Sequence, residues 1–197
     1  MGKRESLKDM QTRLAERLSL ARGSNGGQAW LAVSAGRGSY LLSLRQSGEI
    51  LPAVRLHSVP RTAAWFMGVI NNRGSLFGAV NLGHFIDQTL RAAAGTALPL
   101  AHHAYEDEQS RFVTLNPVLE VNCALHVSRL DGLRSAENFE SSVPSLHDAP
   151  AYFGRQFLDA QGKVWQELDL QTLAQTPQFI NISASSGIPH GHSQLVS

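Results

Sequence analysis

The chemically able residues of this chain are few: eight histidines, one cysteine and sixteen carboxylates. His102 and His103 are adjacent, so on a strand their side chains leave opposite faces and do not easily share one ion. His190-Gly191-His192 has a ligand-like spacing but sits in a stretch with little to bury, so it offers no preformed metal site. His126 falls inside an apolar strand pattern and reads as an ordinary facing residue. Cys123 would need a histidine base and an electropositive setting to serve as a nucleophile. Leu125 and Val127 follow it at strand spacing, which makes it core instead. Glu106 and Glu108 flank Asp107 in a polar run, the pattern of a solvated face.

The motifs that would gather such residues into a catalytic centre are missing. There is no Gly-x-Ser-x-Gly elbow and no Gly-x-x-x-x-Gly-Lys-Ser/Thr phosphate loop. Gly36-Arg37-Gly38 matches only the start of a dinucleotide fingerprint, and the later glycine is absent. The expectation is therefore no catalytic residue, no metal and no cofactor. The lone cysteine rules out an internal disulfide. With 17 Lys+Arg against 16 Asp+Glu, net charge is +1, and basic residues spread among acidic ones give no drive for nucleic acid or anionic lipid. No run of about 18 apolar residues is present to span a membrane. The first ten residues are charged and lack an apolar run, so a secretory leader is not expected and a cytoplasmic protein is.

Any site must then be carried by the scaffold. Residues Glu5 to Ala21 repeat apolar positions (Leu7, Met10, Leu14, Leu18, Ala21) at steps of three and four, which predicts an amphipathic helical arm. Ser6 and Asp9 give it a weak capping box, and Gly23 to Gly27 close it as a linker. From Gln28 the period changes. Trp30 to Ala35 and Tyr40 to Leu44 read as a hairpin across Gly36-Arg37-Gly38. Leu51 to Val54 and Val59-Pro60 read as extended chain, and Phe66 to Ile70 with Leu76 to Leu82 as a second hairpin across Asn71-Asn72-Arg73-Gly74. One or two helical turns are expected over Leu82 to Thr89, then a loop over Ala92 to Pro99. Arg111 to Leu115, Leu119 to Ser128, Tyr152 to Leu158 and Lys163 to Leu168 read as strands, Leu170 to Gln175 as a short helix, and Phe179 to Ile182 as a last strand. Ser183 to Ser197 is a flexible tail by composition. Short strands without alternating helices disfavour a doubly wound fold and favour a mainly β protein of small barrels.

One contiguous stretch is more specific than this. Tyr40 to Leu44, Gly48-Glu49-Ile50-Leu51-Pro52, Val59-Pro60, Phe66-Met67-Gly68-Val69-Ile70-Asn71-Asn72-Arg73-Gly74 and Val80-Asn81-Leu82 follow one another in an order and spacing that resemble the CheW-like chemotaxis coupling family. Leu125 to Leu133 and Tyr152 to Gln175 resemble its second half more loosely. The resemblance implies two SH3-like five-stranded β-barrels sharing a core within residues 28–182, with a crossover near 90–110. Residues 1–27 form the arm and 183–197 the tail. It further implies a non-catalytic adaptor joining methyl-accepting chemoreceptor tips to the regulatory domain of a CheA-type histidine kinase, recruited to receptor arrays at the inner membrane. The arm and the divergent second half look most like the PilI branch, which serves type IV pili and twitching motility.

On that resemblance the partner-binding residues are Glu49, Ile50, Gly68, Val69, Asn71, Arg73 and Gly74. Arg73 offers a planar guanidinium fork for carboxylates or carbonyls, and it is equally placed to brace the fold internally. Two positions depart from the family pattern: Asn72 where an apolar Leu is usual, and Asn81 where Asp is usual. The rival readings are a barrel that binds a small molecule or nucleic acid and, less favoured, a hydrolase.

Overall fold

Alternation of side chains is what organises the chain. In the first strand, β1 (Ala29–Ala35), Leu31, Val33 and Ala35 enter one buried cluster while Trp30 and Ala32 enter another. The same split divides Tyr40 and Leu42 from Leu41 in β2 (Gly38–Ser43). A period of two with both faces apolar means a strand covered on both sides. The computed structural model describes residues 28–52, 54–95 and 109–183. The helical arm, the His102-His103 and Glu106-Asp107-Glu108 segments, and the His190-Gly191-His192 tail lie outside them.

Nine further strands follow among the described residues: β3 (Ser47–Leu51), β4 (Phe66–Asn72), β5 (Ser75–Asn81), β6 (Arg111–Leu115), β7 (Cys123–Val127), β8 (Arg129–Ser135), β9 (Phe139–Val143), β10 (Phe153–Asp159) and β11 (Val164–Leu168). Among the described residues three α-helices punctuate them: α1 (Leu82–Ala93), α2 (Leu170–Gln175) and α3 (Pro177–Ile180). One sheet has the order β8-β1-β2-β11-β10-β9 and the other β3-β6-β7-β5-β4. Neighbours are antiparallel except β2 with β11 and β5 with β7. The protein is mainly β, with six strands in one sheet where five were expected and five in the other.

Both sheets curl. In the first, β1 and β9 are four strand spacings apart, about 19 Å if the sheet were flat. The Trp30 and Phe139 rings are nevertheless 6.0 Å apart, in a cluster with Phe157, Trp165 and Leu41 drawn entirely from that sheet. The second sheet encloses Leu51, Ile70, Ala79, Phe112 and Ala124 in the same manner. Between the sheets lies the largest cluster, including Leu31, Val33, Leu42, Val80, Phe85, Val113, Leu125 and Leu168. Each sheet wraps its own interior and shares a third core with the other. Burying one such side chain contributes roughly 1.5–3 kcal/mol, so the shared cluster dominates the docking of the two sheets.

Several local expectations change. Phe179 to Ile182 is not a strand: Pro177 occupies the first turn of α3, where its missing N–H is no loss, and Thr176 precedes it as the cap. Ile182 instead accepts a hydrogen bond from Ala63 N at 2.8 Å. The stretch from Leu119 to Ser128 is strand only over Cys123–Val127, because Pro117–Leu119 forms a 3-10 turn closed by Glu120 at φ 56°. The helix at Leu82 runs on to Ala93, so Ala92 and Ala93 are helical and not loop.

Candidate functional site

The partner-binding candidates gather where the second sheet curls. Strands β3 and β4 are its opposite edges, yet Glu49 Oε1 in β3 accepts a hydrogen bond from Arg73 Nη1 at 3.0 Å. The segment between them makes this possible. His57 pairs with Val69 through two backbone hydrogen bonds of 2.8 and 2.9 Å, so the chain leaving β3 doubles back along the free edge of β4. Gly68 permits that approach: a Cβ there would run into the carbonyl of His57, with its carbon at 2.9 Å.

The β4–β5 turn is a two-residue hairpin with Asn72 paired to Ser75. Both central residues have positive φ, Arg73 at 52° and Gly74 at 87°, the backbone of a type I′ turn. Asn71 Oδ1 accepts from Gly74 N at 2.9 Å and locks the tip. The left-handed pair is thus Arg73-Gly74, and neither asparagine of the Asn71-Asn72-Arg73-Gly74 signal takes that conformation. Asn72 donates to Glu49 Oε2 at 3.4 Å, so the polar departure from the family pattern gives the carboxylate a second, longer contact.

Exposure divides the seven candidates. Arg73 and Glu49 are 79% and 50% exposed at the side chain, Ile50 is 46% exposed, and Asn71 and Gly74 are open to solvent. Gly68 is buried and Val69 half-buried, so these two support the tip from beneath. Leu76, 62% exposed and paired with Asn71 across the hairpin, belongs to the same surface but is not among the seven candidates. The energetics are informative. An exposed ion pair contributes about 0–1 kcal/mol, while a left-handed arginine costs about 1 kcal/mol. The two offset each other, so stability does not account for an arginine at this tip.

Cys123 and His126 are built into the fold. Cys123 is buried on β7, and burial pushes its thiol up to about 12, far from a reactive thiolate. His126 packs against the Phe112 ring at 5.2 Å, and burial lowers its pKa. Among the described residues no group of three or more His, Cys, Asp or Glu could hold a metal ion, and no helix is long and apolar enough to cross a membrane. Asn81 caps α1 by accepting from His84 N at 2.9 Å, so the second departure keeps the capping geometry without the charge.

Two curled sheets around a shared core, with a charged hairpin tip on a stiff support, define a class of mainly β protein. Residues 29–178 match the family model of the CheW-like domain, and the chain belongs to that family. Among solved structures it is similar to the scaffolding protein TtCheW from Thermoanaerobacter tengcongensis, with a TM-score of 0.53 and 16% identity, covering 77% of this chain and 95% of that one. A search of curated proteins finds no match.

Proposed function

We propose that the chain is a non-catalytic adaptor that couples methyl-accepting chemoreceptors to the regulatory domain of a CheA-type histidine kinase, in the cytoplasm at receptor arrays of the inner membrane. The carrying observation is the Glu49–Arg73 pair: a mostly exposed guanidinium held by a half-exposed carboxylate on a tip that stability does not explain. An arginine fixed by an internal partner presents its remaining donors in one geometry, as a specific interface requires. Ile50 supplies apolar area beside it, Asn71 and Gly74 shape the tip, and Gly68 and Val69 brace it. Family membership and the scaffold fold support the adaptor class.

The test is titration calorimetry of the full chain against the kinase regulatory domain. Glu49→Lys and Arg73→Ala should each weaken binding about tenfold or more, with thermal melts that stay cooperative. Unchanged affinity in both variants removes the pair from the interface. For the branch, the resemblance of the arm and second half to PilI favours type IV pilus control. Deletion of the gene should abolish twitching on agar, and loss of swimming chemotaxis alone would assign the other branch.

A further inference from the structure

The near-neutral composition conceals a segregation of charge. Residues 28–86 hold five arginines and a single carboxylate, Glu49, whereas residues 109–183 hold five Lys+Arg and eight Asp+Glu. The excess concentrates along β4. Val54 and Leu56 pack toward the interior of the five-stranded sheet while Arg55 and His57 are exposed, so these two point outward beside the strand. The segment ends in the turn Val59–Thr62, closed by Thr62 Oγ1 donating to Val59 O at 2.9 Å, with Arg61 at φ 60° on its tip. Arg73, at φ 52°, stands past the other end of β4. Two of the three non-glycine residues with positive φ among the described residues are therefore exposed arginines flanking one strand. A backbone position that favours glycine or asparagine, filled by arginine, points to the side chain's use. Glu49, the single carboxylate of residues 28–86, is already engaged by Arg73 and Asn72, and neither ion pair among the described residues includes Arg55 or Arg61.

We infer that β4 and the segment from Arg55 to Arg61 form an arginine ridge that docks on an acidic protein face, an inference that rests on the adaptor reading. The cations are all arginine, whose fork matches carboxylates and phosphates alike, so the class of partner is decided by what surrounds them. Two observations favour a protein over nucleic acid or a membrane. The nearby aromatics, Trp65 and Phe66, pack on the core and leave no platform for stacked bases. Exposed Val59 flanks Arg61, and exposed Ile50 and Leu76 flank the tip, giving the mixed apolar and guanidinium character of protein interfaces.

The experiment uses the full chain and the double variant Arg55→Glu/Arg61→Glu, residues outside the Glu49–Arg73 pair. Probes are the kinase regulatory domain, the receptor tip, a poly-L-glutamate peptide, a 20-nucleotide single strand and phosphatidylserine vesicles. Expected is salt-sensitive binding to one of the two proteins that falls about tenfold or more in the double variant, while the control Glu137→Arg leaves it unchanged. Equal binding by wild type and double variant overturns the ridge and leaves the adaptor reading standing. Absence of binding to either protein overturns the adaptor reading, and poly-L-glutamate then decides the ridge: capture lost in the variant keeps it, no capture ends it. Capture of the oligonucleotide or vesicles that depends on the two arginines overturns the choice of a protein partner.

Discussion

Two hairpin turns in this protein are made of the same pair of residues in opposite order, and they do opposite work. At the β1–β2 turn, Gly36-Arg37, the glycine takes the left-handed backbone at φ 56° and lies against Gly83 of α1, its imagined Cβ 3.1 Å from the Gly83 Cα. At the β4–β5 turn, Arg73-Gly74, the arginine takes that conformation, and nothing lies within 4 Å of a Cβ on Gly74. The first turn joins the two sheets, since Gly36 belongs to the six-stranded sheet's hairpin and Gly83 to the helix leaving the other. There glycine is the residue that fits. The second turn faces solvent, where the same glycine is a convenience and the strained residue is the one that offers donors. Packing explains the closed turn, and on the proposed adaptor reading partner contacts explain the open one.

The largest effect that would sharpen this contrast is at the closed turn. A Cβ on Gly83 would meet the Gly36 backbone, with the Gly36 Cα at 2.7 Å and the Ala35 carbonyl carbon at 2.8 Å. Backbone cannot step aside as a flexible side chain can. Gly83→Ala gains at most about 1 kcal/mol of helix propensity against an overpacking cost of about 3 kcal/mol. A net loss near 2 kcal/mol in denaturant unfolding is expected, whereas Gly74→Ala lowers stability only through its positive φ, by about 1 kcal/mol. Equal losses at the two sites would erase the distinction.

Next in size is the cap that starts α1 beside Gly83. Asn81→Ala removes the acceptor for His84 N and should lower stability by about 1 kcal/mol. Asn81→Asp restores a carboxylate at the positive end of the helix and should raise it by a few tenths of a kcal/mol, an increment that added salt diminishes. Both belong to the closed side, so neither should alter partner affinity in calorimetry.

A third effect reads the closed side through pH. Burial alone would raise the pKa of Asp169, but hydrogen bonds from Thr172 and Gln46 side chains and from the Thr172 and Gln171 backbone outweigh it and hold the carboxyl below its ordinary value. A depressed folded pKa gives stability that is fully present above the unfolded value near 4 and is lost as pH falls through the folded one. Asp159 has the same sign, chiefly through the Trp165 indole that donates to it at 2.8 Å. Asp169→Asn should therefore lose stability near neutral pH and show a shallower acid limb than wild type between about pH 5 and 2. A parallel limb would mean that Asp169 has no part in it.

The same contrast explains what the sequence made legible. Central strands such as β1, β2 and β7 carry apolar residues on both faces and were readable from period alone. The edge strand β3 shows Gly48, Glu49 and Ile50 to solvent, β8 is broken by Gly132 at φ 93°, and β9 reads Phe-Glu-Ser-Ser-Val with one half-buried aromatic. Edges need no continuous apolar face, so no period announces them. Glu49 and Arg73 were individually legible through the family pattern, but their contact was not. It depends on sheet curl across 24 residues of sequence, a consequence of the whole interior. The arginine ridge was hidden for a different reason, because averaging charge over the chain cancels two halves of opposite sign.

The smallest effect is the most discriminating. Arg73→Asn makes the turn Asn-Gly, the pair that best adopts two successive positive φ values. It relieves about 1 kcal/mol of backbone strain and removes an exposed ion pair that contributes about 0–1 kcal/mol. A melting temperature equal to wild type or slightly above it is expected, together with weaker binding of the partner. Opposite signs of stability and affinity at one residue are the signature of a tip whose strain is maintained for recognition. If Arg73→Asn lowered both, the guanidinium would be a brace for the Glu49 edge like any other, and the two turns would differ only in which residue happened to be glycine.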